Sequence, residues 1–286
     1  MTSSRAIPTN DRRGFSHLLL SSLLLLSFTS CTSLRYTGVN RIRNYNISSP
    51  EVPKAFNGYR IAFASDFHLK SKFKERQLHG TVKALQTLAP DVLLLGGDYQ
   101  EGCEYVGPLF EALTQATPPD GIYAVLGNND YERCTELIRT AMQKHNIVLL
   151  EEEADTIYQN DEYILIWGAN PYAGKYPSSK HNPHFSKPTS QEDFVLLLIH
   201  TPDYVDDADC NIADLALAGH THGGQVTLFG LYAPITASKY GMRYRSGLKH
   251  SRQGIPIIIS NGLGTSRHPI RLFAPTDIVV VTLHSQ

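Results

Sequence analysis

Short hydrophobic runs alternate with amphipathic segments through the first half of the chain. Residues 59–64, 92–95 and 122–126 are mainly apolar runs of strand length, which is typical of strands buried on both faces. Apolar residues recur at helical spacing in three segments that separate or follow these runs: 74–88, 106–116 and 132–144. The resulting β-α-β-α-β-α order predicts helices layered on a largely parallel sheet.

The second half of the chain has more predicted strands and fewer predicted helices. Strands are predicted over seven apolar stretches: 147–150, 156–158, 163–167, 194–199, 215–218, 255–259 and 278–283. The pair Asn160-Asp161 is suited to a hairpin turn between the second and the third of these strands. Residues 170–190 contain four prolines and little apolar pattern, so we expect a surface loop there.

The N-terminal region has the composition of a targeting segment. Three arginines within the first 13 residues precede an apolar stretch at 18–28, which is shorter than the ~20 residues that span a bilayer as a helix. The pair Arg12-Arg13 resembles a twin-arginine export signal. Ser30-Cys31 resembles a lipoprotein cleavage site, at which Cys31 becomes lipidated. An uncleaved membrane-proximal anchor is the alternative.

These patterns divide the chain into three regions. We expect a signal or anchor segment at 1–31 and a linker, or a short lead-in strand, at 32–57. Residues 58–286 are expected to form the folded domain, because 286 residues with 42% hydrophobic content supply one sizeable core or at most two small ones. We therefore expect an exported, monomeric protein of the cell envelope that associates with a membrane.

Charge and cysteine content exclude two further classes. The net charge is −1 and no long basic run occurs, so the chain lacks the electrostatic footprint of a nucleic-acid-binding protein. Apart from Cys31 the cysteines are Cys103, Cys134 and Cys210. An odd number excludes a complete disulfide framework, and we expect buried thiols or an incidental Cys103–Cys134 pair.

Aspartate, asparagine and histidine follow the apolar runs at the points where predicted strands end. The carboxyl ends of strands in an open α/β sheet collect ligands, and carboxylate, amide and imidazole groups suit Mn²⁺, Fe or Zn²⁺. Each short motif is common by itself, but the complete ordered set predicts a two-metal hydrolytic site. Its members are Asp66, His68, Asp98, Asn128, His200, His220 and His222.

This series of motifs resembles that of the calcineurin-like metallophosphoesterase superfamily. Residues 219–226, 260–266 and 269–271 resemble a bacterial envelope-associated branch of it, and the resemblance extends over about residues 55–283. It implies a four-layer α-β-β-α sandwich with a dinuclear metal site at the C-terminal strand ends. It also implies hydrolysis of a phosphoric ester by a metal-activated hydroxide.

The resemblance assigns a role to each proposed metal ligand. Three residues would hold the first metal: Asp66, His68 and His222. Three others would hold the second: Asn128, His200 and His220. Asp98 would bridge both. Asp203, close after His200, is either a supporting partner of the ligands or the cap of the following turn.

One position departs from the motifs of this superfamily. Asn129 stands where a catalytic histidine, held by an acidic residue such as Asp130, is usual. An asparagine amide donates a hydrogen bond but is no useful proton donor near neutral pH. Either another group such as His68 supplies the proton, or the leaving group needs none, or the site is slow or only binds metal. Asn129, Asp130 and His68 are therefore the predicted catalytic residues.

The leading prediction is an enzyme that cleaves a phosphodiester or pyrophosphate bond in an envelope or lipid-linked substrate. The first alternative is a UDP-2,3-diacylglucosamine pyrophosphatase of lipid A synthesis, although UDP-linked substrates are cytoplasmic. The second is a catalytically weak, metal-binding envelope lipoprotein. Residues 239–252 are basic and rich in tyrosine, and Tyr240, Arg243 and Arg245 are the predicted substrate-binding residues unless this segment is only a solvated loop.

Overall fold

The computed structural model describes residues 39–70, 74–172, 175, 193–208 and 210–286. The targeting segment predicted at 1–31 and most of the loop predicted at 170–190 lie outside these residues. Within the described ranges, no helix combines the length and the apolar character that crossing a bilayer requires.

Twelve strands and five α-helices make up the described part of the chain. The strands, in chain order, are β1 (Arg41–Ser49), β2 (Arg60–Ala64), β3 (Val92–Leu95), β4 (Ile122–Ala124), β5 (Ile147–Leu149), β6 (Glu153–Gln159), β7 (Glu162–Gly168), β8 (Val195–Leu198), β9 (Leu215–Ala218), β10 (Gly247–His250), β11 (Pro256–Ile259) and β12 (Asp277–Ser285). The helices are α1 (Lys74–Leu88), α2 (Val106–Leu113), α3 (Asn128–Glu132), α4 (Thr135–Lys144) and α5 (Tyr204–Asp207).

The strands form two six-stranded sheets. The first sheet has the spatial order β1-β12-β2-β3-β4-β5, and the second has the order β10-β11-β9-β8-β7-β6. Strands β2 to β5 are parallel to one another, as are β7, β8, β9 and β11. The parallel strands of each sheet therefore end at one common edge, where the loops that follow them meet.

Alternate residues of the buried strands supply two separate apolar layers. On β3, Val92 and Leu94 belong to a cluster shared with the second sheet, whereas Leu93 and Leu95 belong to the cluster beneath the helices. A strand covered on both faces is apolar throughout, which explains the continuous run at 92–95. The predicted α/β fold with two packed sheets is thereby confirmed.

Helices cover the two outer faces of the sandwich unequally. On the first sheet, α1, α2 and α4 contribute Leu85, Leu109 and Ile138 to one apolar cluster. On the second sheet, the described covering is the short α5, with Val205, and the turn around Tyr244. The layer sequence matches the predicted α-β-β-α order, with a thin last layer.

Of the two alternatives for residues 32–57, a linker or a lead-in strand, the structure shows a strand in the central part. Residues 41–49 form β1, which pairs in parallel with β12 over its whole length. Polar residues alternate along this edge strand, so its hydrophobic signal is weak. Its anchor is instead polar: Arg43 forms a buried ion pair with Asp277 at 2.6 Å.

Of the two alternatives for Cys103 and Cys134, buried thiols or a pair, the structure shows the pair. The two residues form a disulfide with a Cα–Cα distance of 5.5 Å, and Cys103 lies in an exposed turn. Cys134 has a left-handed backbone, with φ of 65°, and it separates α3 from α4 where one helix was predicted. Cys210 is a buried free thiol.

Candidate metal centre

The predicted metal ligands meet at the common edge of the two sheets. Asp66 follows β2, Asp98 follows β3 and Asn128 follows β4, while His200 and His220 follow β8 and β9. The parallel arrangement of these strands is the reason that motifs far apart in the chain converge. Six of the carboxylate and imidazole side chains form two groups of possible metal ligands: Asp66, His68 and His222, and Asp98, His200 and His220.

In the first group the nitrogen atoms and the carboxylate face one another. His68 Nε2 lies 3.1 Å from His222 Nε2, and His222 Nε2 lies 3.5 Å from Asp66 Oδ1. All three side chains are buried. Asp66 is held in turn by the Ser65 hydroxyl, which donates to Asp66 Oδ2 at 2.6 Å.

The second group is joined to the first through a single carboxylate oxygen. His200 Nε2 and His220 Nδ1 are 3.1 Å apart. Asp98 Oδ2 lies 3.4 Å from His200 Nε2 and also 3.4 Å from His68 Nε2, which belongs to the first group. Asp98 Oδ2 therefore lies between a histidine of each group.

Hydrogen bonds prepare two imidazoles to bind metal through Nε2. His200 Nδ1 donates to the carbonyl oxygen of Gly96 at 2.6 Å, and His68 Nδ1 donates to Glu101 Oε1 at 2.7 Å. Each bond engages Nδ1 and leaves Nε2 directed at the other ligands. A histidine ligand is commonly oriented in this way by a carbonyl or carboxylate, so the residues fit a dinuclear site for divalent cations.

The metal-free centre attracts protons at two histidines. Burial opposes protonation of His200, but the negative charge of Asp98 outweighs it and raises the pKa of His200 to about 10. Burial likewise opposes protonation of His68, yet its hydrogen bond to Glu101 and the charge of Asp98 raise its pKa. A positive charge is therefore favoured beside Asp98.

The other two histidines stay neutral. Burial and the positive charge of His200 lower the pKa of His220 to about 4. Burial and the positive charge of His68 lower the pKa of His222 well below its ordinary value. Neutral imidazole is the form that binds a metal ion, and each group thus contains one histidine already in that form.

Asp130 fixes the loops that carry the bridging carboxylate. Its Oδ2 accepts from the backbone N–H groups of Asp98 at 2.7 Å and Gly127 at 2.8 Å, and its Oδ1 accepts from Tyr99 at 3.0 Å. Burial and the charge of Asp98 raise the pKa of this carboxyl. Because backbone donors occupy both oxygens, Asp130 is placed as a positioning residue.

Both asparagines of the third motif lie beside the centre. Asn129 donates from its backbone N–H to Asp98 Oδ1 at 3.0 Å, and its side-chain nitrogen lies 3.3 Å from Asp98 Oδ2 and 3.2 Å from His68 Nδ1. Asn128 opens α3, and its Oδ1 accepts from the Tyr172 hydroxyl at 3.5 Å. The amide of Asn129 thus faces both the bridging carboxylate and a ligand of the first group.

Of the three predicted substrate-binding residues, only Arg245 contacts the turn next to the metal centre. Arg245 donates to the carbonyl oxygens of Gly223 and Gly230 at 3.2 and 2.9 Å, beside the turn that contains His222. Tyr240 instead donates to Asp207 at 2.8 Å, and Arg243 pairs with Asp206. Their contacts are with α5, as expected of a structural surface segment.

Asp203 stands at the N-cap position of α5, but its side chain makes no capping hydrogen bond there. Its carboxylate accepts from the Ser238 hydroxyl at 2.5 Å and from the Lys239 N–H at 2.8 Å. It supports the segment that precedes Tyr240.

Two residues close to the centre were missed by sequence reasoning. Glu101, which orients His68, follows Asp98 by three residues, and this closeness was its only signal. Arg271 donates to the carbonyl oxygens of His222 and Gly264 at 3.1 and 2.5 Å, and it lies within the 269–271 motif. The Arg271 guanidinium therefore ties the loop of a metal ligand to the following loop.

Comparison with known proteins agrees with this geometry. Residues 59–224 match the family model of the calcineurin-like phosphoesterases. A metallophosphoesterase of Aquifex aeolicus is 30% identical over 247 residues, which cover 85% of this chain and 91% of the relative. The metallophosphoesterase YkuE of Bacillus subtilis is 28% identical over 250 residues, with 84% of each chain covered.

One solved structure carries a comparable name at low similarity. A dimetal phosphatase from Danio rerio aligns with a TM-score of 0.43 and 11% identity, covering 80% of this chain and 93% of that one. The family model spans β2 to the His222 turn and includes every proposed ligand. The two ligand groups, the carboxylate between them and the match over these residues show that the chain belongs to the calcineurin-like phosphoesterase family and is a metal-dependent phosphoric ester hydrolase.

Proposed function

We propose that this enzyme cleaves a phosphodiester or pyrophosphate bond in an envelope or lipid-linked substrate. The observation that carries the proposal is Asn129, whose amide faces Asp98 and His68 at the position where a proton donor is usual. A leaving group that is itself a phosphate, or another stable anion, departs without general acid help. Poor leaving groups would lose the ~10²–10⁴-fold that such help typically provides.

The ligands named above would hold two divalent cations, with Mn²⁺, Fe²⁺ and Zn²⁺ as the candidates for this donor set. When bound, such a pair supplies a water of lowered pKa and neutralises charge on the phosphate. Asn129 is in position to donate a hydrogen bond to a phosphate oxygen. Asp130 holds the loop of Asp98 next to the loop of Asn129. The residues of this chain therefore contribute positioning and hydrogen bonds to the reaction rather than a proton.

Two observations support a location outside the cytoplasm. The chain contains the Cys103–Cys134 disulfide, and disulfides persist in oxidising compartments. The first 31 residues have the composition of an export or lipidation signal. We therefore propose an exported monomer at the cell envelope. Fractionation of the native host tests this location, and a wholly cytosolic, uncleaved and reduced protein would overturn it.

A substrate panel tests the proposed reaction. The full-length protein is loaded with Mn²⁺ and assayed with bis-p-nitrophenyl phosphate, with glycerol 3-phosphate as a monoester that has a poor leaving group, and with a UDP-acylated sugar. We expect the diester or the pyrophosphate to be turned over much faster than the monoester. Turnover of the UDP compound alone would favour the pyrophosphatase of lipid A synthesis. Absence of turnover with both metals bound would favour the catalytically weak metal-binding protein.

The variant Asn129→His tests the role of the leaving group. Restoring an imidazole should raise hydrolysis of substrates with poor leaving groups by roughly 10²-fold, while cleavage of the preferred substrate changes little. Asn57→His, at an exposed turn, adds the same group away from the centre and serves as control. A hundredfold gain on the preferred substrate would contradict the proposal, because it would mean that this leaving group also needs a proton.

A further inference from the structure

Two loops beside the metal centre expose a concentration of large apolar side chains. Of the thirteen exposed large hydrophobic residues in the described ranges, eight lie in the segments 226–235 and 270–273. We call these eight the apolar rim: Val226, Leu228, Phe229, Leu231, Tyr232, Ile235, Ile270 and Phe273. Leu231 is 81% exposed, Ile235 79% and Phe229 71%. Soluble monomers rarely leave so many large apolar side chains together in water.

The rim is held in a defined conformation by its own hydrogen bonds. Thr227 is buried, and its N–H donates to the carbonyl oxygen of Leu272 at 2.9 Å. Leu228 donates to Tyr232 at 2.7 Å within the first segment. The rings of Phe229 and Phe273 lie 5.5 Å apart, one from each segment. Hydrogen bonds and ring contacts therefore fix the conformation of the loops that expose these apolar side chains.

The rim is connected directly to the metal centre. Arg271 lies within the second segment and donates to the carbonyl oxygen of His222 at 3.1 Å. Gln225 follows the His222 turn, and its side chain donates to Ser266 and His268 at 3.1 and 3.0 Å. Arg271, within the second segment, thus also holds the backbone of one ligand of the first group.

The stretch of chain that carries the rim has no negative charge. Residues 215–276 contain seven lysines and arginines and neither aspartate nor glutamate, although the whole chain has a net charge of −1. Three of the cations pair with acidic residues of α5. Arg267 and His268, just before the second segment, are exposed. The surface that accompanies the rim is consequently suited to an anionic partner.

We propose that the apolar rim inserts into the interfacial region of a lipid bilayer that contains anionic headgroups. Apolar side chains alone, or basic residues alone, bind a bilayer weakly, whereas the two together give stable adsorption. The insertion would bring the His222 side of the metal centre next to the headgroup layer. The rim segments, 226–235 and 270–273, are distant in sequence from the apolar stretch at 18–28, and the inference does not depend on which phosphoester bond is cleaved.

Tryptophan fluorescence of the full-length protein tests the proposal locally. The one native tryptophan, Trp167, is buried with 1% exposure, so a tryptophan introduced as Phe229→Trp reports on the rim even if the N-terminus also binds. We expect its emission to shift to the blue with vesicles of phosphatidylcholine and phosphatidylglycerol, and brominated lipid to quench it. Tyr158→Trp, at an exposed position on β6, is the control and should show neither change.

The charge component is tested with the same variant. Vesicles of phosphatidylcholine alone, or added salt, should weaken the shift, since the attraction to anionic lipid is screened. In the Phe229→Trp background, Leu231→Ser with Ile235→Ser should reduce the vesicle-induced shift, lowering the apparent affinity roughly tenfold or more for the pair. Leu137→Ser, exposed on α4, should not.

Three results would overturn the proposal. The emission of Phe229→Trp could stay unchanged with every vesicle composition, which would exclude insertion of the rim. It could shift equally on neutral and anionic vesicles, which would exclude the charge argument. It could already be blue-shifted without lipid, in proportion to protein concentration and to dimer content in sedimentation, which would assign the rim to contact between copies.

Discussion

Five of the seven proposed metal ligands have a left-handed backbone. Asp66, His68, Asp98, His220 and His222 all have positive φ, between 39° and 68°, in a region that non-glycine residues seldom adopt. Each such residue costs about 1–3 kcal/mol and persists only where its surroundings hold it. The hydrogen bonds of the centre supply that support, so the ligands are arranged for binding by the fold itself.

Glu101 is the clearest test of this support at the level of one residue. Glu101→Gln keeps the size of the side chain but weakens the hydrogen bond that orients His68. We expect affinity for Mn²⁺, measured by calorimetry, to fall ~10–100-fold, as is usual when the partner of a histidine ligand is lost. Glu104→Gln, at an exposed position three residues further along the chain, should bind as the wild type does. Equal affinities for Glu101→Gln and wild type would refute the orienting role.

Proton release should accompany metal binding. In the metal-free centre the pKa of His200 is raised to about 10, so near neutral pH this ring carries a proton that a metal ion must displace, and the pKa of His68 is shifted in the same direction. Affinity should therefore increase as the pH rises through the neutral range towards the pKa of His200. Calorimetry in buffers of different ionisation enthalpy measures the protons released at about pH 7. A value of zero would contradict the proposed ligands.

The types and order of these ligands could be predicted from sequence because each follows an apolar run. Glu101 could not, because its contact with His68 depends on how two loops pack. Gly97 lies so close to the backbone nitrogen of Gly127 that a Cβ at this position would collide with it. This contact between two loops is visible only in the folded structure. Sequence patterns identify residues at strand ends, whereas the hydrogen bonds between those ends arise from tertiary structure.

Among the elements, β1 shows how an edge strand can be held by charge. Arg43 lies on this strand and pairs with Asp277 at the start of β12. Asp277 also accepts from the Ser260 hydroxyl at 2.6 Å and from the Asn261 N–H at 3.0 Å. Burial raises the pKa of Asp277 despite the opposing charge of Arg43. The carboxylate therefore depends on its arginine partner.

Removing that arginine should destabilise the first sheet. Arg43→Met leaves a buried carboxylate without its counter-charge, and we expect the free energy of unfolding, measured by urea titration, to fall by about 3–5 kcal/mol. Arg41→Met, at an exposed position of the same strand, should change it by less than about 0.5 kcal/mol. A small change for Arg43→Met would show that β1 contributes little to the stability of the sheet.

The disulfide connects two elements around the third motif. It closes a loop with a sequence separation of 31 residues, which contains β4 and α3. The loop-closure entropy of such a bond is worth about 3–4 kcal/mol. We expect a reducing agent to lower the wild-type stability by this order and to leave the double variant Cys103→Ser, Cys134→Ser unaffected. If reduction changed neither protein, the bond would not form in solution.

At the scale of elements, prediction succeeded where burial gives a strong signal. The run at 92–95 could be predicted as a strand because both its faces are covered. The edge strand β1 could not, since its alternating polar residues resemble a linker. The single helix predicted at 132–144 is interrupted at Cys134, where the disulfide coincides with a left-handed residue. Such interruptions depend on contacts from outside the helix.

Across the whole molecule, three features support the proposal that the metal centre lies beside a membrane-binding surface. The two sheets place the metal ligands at a common edge, the apolar rim lies next to that edge, and the surrounding chain from 215 to 276 carries no acidic residue. The sequence predicted the edge from the strand order, but the rim emerged only with the structure. An exposed surface depends on which loops remain uncovered after folding, and periodicity alone does not reveal this.

The most direct test is anomalous diffraction from crystals of the Mn²⁺-loaded protein. Two peaks should appear, one beside Asp66, His68 and His222 and the other beside His200 and His220, with Asp98 between them. In crystals of Asp98→Asn at least one peak should weaken. A single peak in the wild type, or peaks away from these residues, would contradict the dinuclear centre on which the proposed chemistry depends.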